Sequence, residues 1–86
     1  MIQLRALDLN SSRMTNSGLE QLQSLPQLQE LHLRGTHVTD AGLHHLDGLT
    51  NLDELDLSDT KVMAAGVERL QKSLSACKII VTAKAP

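Results

Sequence analysis

At 86 residues the chain has the length of one small domain, and its net charge of −2 gives no reason to expect a nucleic-acid or anionic-membrane partner. It contains no Phe, Tyr or Trp, so it lacks the side chains on which single-stranded nucleic acid stacks and on which many tight protein interfaces depend. No apolar run approaches the roughly 20 residues of a membrane span, and the first residues lack the apolar stretch of a secretory signal, so we expect a cytoplasmic location.

The sequence repeats with a period of 24 residues. Apolar residues recur at this spacing without gaps, as in Leu7, Leu31, Leu55 and Ile79. Glycines recur in the same register at Gly18, Gly42 and Gly66. We therefore divide a single domain, residues 1–86, into units at about 4–27, 28–51 and 52–75, followed by a terminal strand at 76–82.

Each unit changes its hydrophobic period internally. The pattern Leu-x-x-Leu-x-Leu ends in strict alternation, which is typical of a strand with one buried face. Thr15 and Thr39 then precede leucines at helical spacing, so we expect their hydroxyls to cap short helices. Proline or glycine follows and returns the chain to the next strand. Each unit is predicted to run strand, turn, short helix, turn.

The third unit departs from this pattern. Met63 occupies the cap position and offers no side-chain acceptor, while Val67, Leu70 and Leu74 continue the helical spacing. We therefore expect a longer helix in this unit. The β-branched residues after Cys77 predict the terminal strand. Since Cys77 is the single cysteine, we expect a free and half-exposed thiol.

The second unit contains the complete pattern Leu28-x-x-Leu31-x-Leu33-x-x-Thr36-x-Val38-Thr39-Asp40-x-Gly42-Leu43-x-x-Leu46. This pattern resembles a leucine-rich repeat, and it is most similar to short bacterial forms with Thr-Asp-x-Gly-Leu in the convex half. It is also similar to the repeats of F-box substrate receptors and of ribonuclease-inhibitor-like folds. The resemblance implies an α/β fold: a short right-handed solenoid of about three and a half repeats, with a parallel sheet on the concave side and short helices on the convex side. It further implies that the hydroxyls of Thr36 and Thr60 serve the turn backbones.

The resemblance also implies where a partner binds, because this family usually uses the concave sheet. Carried over to this chain, the candidate partner-binding residues alternate with the buried leucines. They are Asp8, Glu30, His32, Arg34, Glu54, Asp56, Ser58, Lys78 and Ile80. The centre of this set is acidic, which suits a basic protein or peptide. We therefore expect a non-catalytic protein-interaction module that needs no cofactor.

Other functions find less support in the sequence. Asp8, His32 and Asp56 are predicted to lie side by side on three strands, but the outer two strands would be about 10 Å apart. We therefore predict a stabilising charge ladder there and no metal site. No insertion interrupts the repeat to form a pocket, and no glycine-rich phosphate loop is present, so we assign no catalytic residue.

The N-terminal end suggests two alternatives to partner binding on the sheet. Leu7, Leu9 and Met14 have no preceding unit to cover them. This arrangement is expected either in a structural module that self-associates into a homo-oligomer through that end, or in a fragment of a longer repeat protein such as a substrate receptor.

Overall fold

The computed structural model describes residues 5–82, which form three strand–helix units and a fourth strand. The strands are β1 (Ala6–Asp8), β2 (Glu30–His32), β3 (Glu54–Asp56) and β4 (Lys78–Ile80). The helices are α1 (Asn16–Leu22), α2 (Asp40–Leu43) and α3 (Ala64–Ser73), with a 3₁₀ helix at His44–Leu46 after α2. The four strands form one parallel sheet in chain order. This confirms the predicted α/β fold, although β4 is shorter than the predicted terminal strand.

The sheet keeps the 24-residue period in its register. Leu7 pairs with Leu31, Leu31 with Leu55, and Leu55 with Ile79. Hydrogen bonding continues beyond the assigned strands, since the N–H of Leu9 donates to the carbonyl of His32 at 2.8 Å. The same bond recurs one and two units later. Each unit is therefore joined to the next by an equivalent set of backbone bonds.

The core is a continuous column of aliphatic side chains between the sheet and the helices. Leu31 and Leu55 from the strands are fully buried, as are Leu43 and Leu70 from the helices. Equivalent positions carry leucine in successive units, so burial continues from one unit to the next. Full burial of such a side chain contributes about 1.5–3 kcal/mol to folding.

A turn residue with left-handed backbone follows each of the first three strands. The φ angles are 58° at Ser11, 71° at Gly35 and 55° at Asp59, and these three residues are again spaced by 24. Glycine adopts this conformation freely, whereas a residue with a side chain is disfavoured there by roughly 1–2 kcal/mol. The turn is therefore a fixed feature of the repeat even where the sequence does not supply glycine.

The threonines next to these turn residues behave as the resemblance implied. The Thr36 hydroxyl donates to the carbonyl of Leu33 at 2.7 Å, and the Thr60 hydroxyl donates to that of Leu57 at 2.6 Å. Thr36 is almost completely buried. Each hydroxyl therefore satisfies a strand-end carbonyl at the point where the chain leaves the sheet.

The helix N-termini differ from the prediction. Thr15 and Thr39 occupy the cap positions of α1 and α2, but neither hydroxyl accepts a helix N–H. Instead, Asn16 reaches the next unit: its Oδ1 accepts the N–H of Thr39 at 3.0 Å, and its Nδ2 donates to the Thr39 hydroxyl at 2.7 Å. The predicted capping bonds are therefore wrong, because the side chain next to the cap links neighbouring units.

The third helix starts as expected, without a side-chain cap at Met63. It has ten residues, compared with seven in α1, so the longer helix predicted for this unit is confirmed. The N–H of Met63 donates to Oδ1 of Asp40 at 2.6 Å. Asp40 thus repeats, one unit later, the bond that Asn16 makes to the backbone of Thr39.

Candidate interaction surface

The side chains that alternate with the buried leucines form the outer surface of the sheet. We call this surface the sheet face and define it by the strand residues Asp8, Glu30, His32, Glu54, Asp56, Lys78 and Ile80. All seven are exposed or partly exposed. Four of them are carboxylates and one is a lysine, so the sheet face carries an excess of negative charge.

Two glutamates meet at the middle of the sheet face. Glu30 pairs in register with Glu54 on the neighbouring strand, and Glu54 pairs in turn with Lys78. Like charges directly opposite on adjacent strands destabilise a sheet. Within residues 5–82, no basic side chain lies within ion-pairing distance of the Glu54 carboxylate. The Glu54 carboxylate therefore adds negative charge at the centre that no ion pair offsets.

His32 lies in register between Asp8 and Asp56, as the repeat predicts. Both aspartates, however, are turned toward the backbone that follows them. Oδ1 of Asp8 accepts the N–H of Asn10 at 3.0 Å, and Oδ1 of Asp56 accepts that of Ser58 at 2.9 Å. The His32 ring instead lies against Glu30 on its own strand, where Nε2 and Oε1 are 3.6 Å apart.

Two further candidates lie in the turns just beyond the strands. Arg34 is exposed, and its Nε lies 3.3 Å from Oδ2 of Asp59, so its charge is paired outside the sheet face. Ser58 is only 2% exposed, and its hydroxyl accepts the N–H of Thr82 at 3.1 Å. The Ser58 side chain is thus buried, and its hydroxyl joins its turn to the backbone just beyond β4. Its contact with a partner stays a prediction.

A packing contact between units was not predicted from the sequence. A Cβ atom placed on Gly42 would overlap Oδ1 of Asn16, the atom that binds the backbone of Thr39. The glycine thus makes room for a side chain of the preceding unit. The sequence feature that could have indicated this contact is an Asx-x-Gly pattern, which occurs in both Asn16-Ser17-Gly18 and Asp40-Ala41-Gly42.

Cys77 is the last residue before β4, and it is buried rather than half-exposed as predicted. Burial raises the pKa of its thiol to about 11, and the nearby carboxylates of Asp53 and Glu54 add to the increase. A thiol of this kind is protonated at neutral pH, and only the thiolate is an effective nucleophile. Cys77 therefore acts as a small core residue.

The first unit is less well covered than the second. Leu7, Leu9 and Met14 are only partly buried against the core. Their counterparts 24 residues later have no exposed surface. Among the described residues, equivalent apolar side chains thus retain contact with solvent on the N-terminal face of the stack. The C-terminal end is similar, since Ile79 is partly buried and Val81 is 42% exposed.

Within the described part of the chain, no helix combines the length and the apolar character needed to cross a membrane.

No curated protein matches the sequence significantly. A protein-family model described as leucine rich repeat matches residues 2–62, which is well over half of the 86 residues. The matched segment contains the first two units and the strand and turn of the third. Sequence period, parallel sheet and family match agree, and the chain belongs to the leucine-rich repeat family.

Proposed function

We propose that the chain is a non-catalytic protein-interaction module whose sheet face binds a basic protein or peptide. Leucine-rich repeat domains generally mediate protein–protein interaction. The observation that supports a basic partner is the pair of opposed carboxylates, Glu30 and Glu54, at the centre of the sheet face. A lysine or arginine placed between them would relieve their repulsion, and complementary charge favours the matching partner over others.

The chemistry of the sheet face sets the kind of binding to expect. Exposed ion pairs contribute only about 0–1 kcal/mol each, and salt screens them. The chain supplies no aromatic anchor, and Ile80 is the apolar side chain that the sheet face offers. We therefore expect modest affinity that falls steeply with ionic strength, with several cationic groups of the partner acting together.

A peptide array with basic, neutral and acidic sequences tests the proposal. The variant Glu30→Lys/Glu54→Lys reverses the central charge, while Asp56 stays unchanged because it supports the backbone of Ser58. Its matched control is Glu20→Lys/Glu68→Lys, which makes the same change of net charge at two exposed helix positions. We expect the wild type and the control to bind basic peptides and the sheet variant to lose them. Equal binding by all three proteins would exclude the sheet face as the binding site.

A second candidate function is assembly through the N-terminal face, and the partial exposure of Leu7, Leu9 and Met14 favours it. A second copy covering these side chains would bury the surface that the second unit buries against the first. Light scattering with refractive-index detection measures the mass of the particle without needing aromatic absorbance. We expect a dimer or larger species that Leu9→Lys dissociates. A monomer at high concentration would rule out this candidate.

A further inference from the structure

Glu30, His32 and Glu54 form a compact cluster on the sheet face, different from the aspartate–histidine row expected from the sequence. One potential ligand atom from each residue lies within 4.8 Å of the other two. Glu30 and His32 project from the same face of β2 because they are two residues apart, and Glu54 is the in-register partner of Glu30 on β3. Three chemically suitable side chains are thus held together by the sheet itself.

We propose that this cluster binds a first-row divalent transition-metal ion, with Zn²⁺ as the representative ion. The imidazole supplies Nε2 and each glutamate supplies one carboxylate oxygen. The proposal does not depend on the sheet face binding a protein, so the two can fail separately.

The distances are close to those that an ion needs. Zinc binds imidazole nitrogen and carboxylate oxygen at about 2.0–2.2 Å, so two such ligand atoms in a tetrahedral site lie about 3.4 Å apart. Nε2 of His32 and Oε1 of Glu30 are already 3.6 Å apart. The Glu54 ligand atom lies within 4.8 Å of the other two, so its flexible side chain has to move by up to about 1.4 Å to reach the same ligand spacing.

The electrostatics favour a cation at this position. Glu30 and Glu54 repel each other across the strands, and a divalent ion between them converts this repulsion into attraction. The carboxylates of Asp8 and Asp56 flank His32 and add negative potential, although each also binds a backbone N–H. The opposing group is Lys78, which is exposed and in register with Glu54. The local balance therefore stays negative.

The ligand set selects among metals. Imidazole suits zinc, copper, nickel and cobalt, whereas magnesium and calcium prefer sites made of oxygen alone. Three protein ligands leave at least one coordination position for water on the exposed sheet face. The imidazole has to be neutral to bind the ion, because a ring nitrogen that carries a proton has no lone pair to donate.

The test follows the imidazole signals of the full-length ¹⁵N-labelled chain by NMR during titration with Zn²⁺ and, separately, with Mg²⁺. We expect Zn²⁺ to shift the His32 ring signals and to saturate at one ion per chain, and Mg²⁺ to leave them unchanged. Glu30→Gln/Glu54→Gln keeps every histidine and nearly the same side-chain shape, and we expect it to lose the His32 response. Glu20→Gln/Glu68→Gln changes the net charge equally on the helices and should respond as the wild type does.

Two results would overturn the proposal. One is a His32 signal that does not respond to zinc in a folded wild-type protein. The other is an undiminished His32 response in Glu30→Gln/Glu54→Gln. Because His44 and His45 are neighbouring imidazoles with ring centres 4.0 Å apart, they are a competing place for zinc. The variant His44→Gln/His45→Gln removes that competition, and zinc binding that disappears in this variant also contradicts the proposal.

Discussion

The backbone of Gly66 lies directly against the side chain of Asp40 in the preceding unit. A Cβ atom on Gly66 would overlap the Asp40 carboxylate, whose Oδ1 also accepts the N–H of Met63 at 2.6 Å. Gly42 and Asn16 stand in the same relationship one unit earlier. An Asn or Asp in one unit and a Gly in the next thus form one structural device, which sets how closely successive helices approach.

The first prediction follows from this contact. Gly66→Ala places a methyl group where the Asp40 carboxylate lies, so the side chain or the helix has to move. We expect the free energy of unfolding to fall by about 1–3 kcal/mol, the usual cost of overpacking. Urea denaturation followed by far-ultraviolet circular dichroism measures the change. Gly48→Ala is the matched control, because a Cβ at Gly48 meets no atom within 4 Å.

A double-mutant cycle distinguishes this steric cause from a general intolerance of alanine in the helix. Asp40→Ala removes both the obstructing side chain and the acceptor for the N–H of Met63, so alone it should cost about 1 kcal/mol. In its background, Gly66→Ala should become nearly neutral. If the two single-mutant changes in the free energy of unfolding simply add, contact with the Asp40 side chain is not the reason that Gly66 is a glycine.

The second prediction contrasts two neighbouring residues at the start of α1. Asn16 makes two hydrogen bonds to Thr39, and we expect Asn16→Ala to cost about 1–2 kcal/mol. Thr15 occupies the cap position without making a capping bond, so Thr15→Ala should stay within about 0.5 kcal/mol of the wild type. A larger loss at Thr15 than at Asn16, measured by the same denaturation experiment, would restore the capping role expected from the sequence.

The parts of the fold that could be predicted are those that depend on residues repeated every 24 positions in the sequence. The leucine columns established the parallel sheet and its register, because each leucine at one strand position packs on its equivalent, as Leu31 does on Leu55. The role of Asn16 was not predictable in the same way. A threonine before a helix has a common local function, and only the positions of successive units show that Asn16 reaches Thr39 instead.

The candidate surface was predictable at the level of strands and less so at the level of contacts. Register alone placed Glu30 opposite Glu54 and His32 between Asp8 and Asp56. Side-chain direction then depended on competing hydrogen bonds, since a backbone N–H two residues away holds the carboxylate of Asp56. Ser58 also accepts a hydrogen bond from Thr82, just beyond β4, and no local sequence pattern points to that contact.

The third prediction concerns the left-handed turn position. Gly35→Ala should lower the free energy of unfolding by about 1 kcal/mol, because the φ of 71° disfavours a side chain. The space itself is adequate, since a Cβ there is 3.5 Å from Oγ of Ser11. Ser11→Gly makes the opposite change at the equivalent position, where φ is 58°, and should be stabilising or neutral. The backbone explanation fails if Gly35→Ala is neutral or Ser11→Gly is clearly destabilising.

The last prediction concerns the pH dependence of stability that Cys77 introduces. Its pKa is raised from 9.0 to about 11 in the folded chain, so below pH 9 the thiol is protonated in both the folded and the unfolded chain. Between pH 9 and about 11 the unfolded chain releases this proton while the folded chain keeps it, and stability is lost as the pH rises. The comparison is with Cys77→Ser, which has no thiol and keeps every other ionisable group. We expect the wild type to lose more stability than Cys77→Ser between these pH values in urea denaturation.

We also expect iodoacetamide to alkylate Cys77 far more slowly in the native chain than in urea at pH 8, as measured by mass spectrometry. Equal alkylation rates in the two conditions would mean that the thiol is exposed, and equal pH profiles for the two proteins would mean that its ionisation is not coupled to folding.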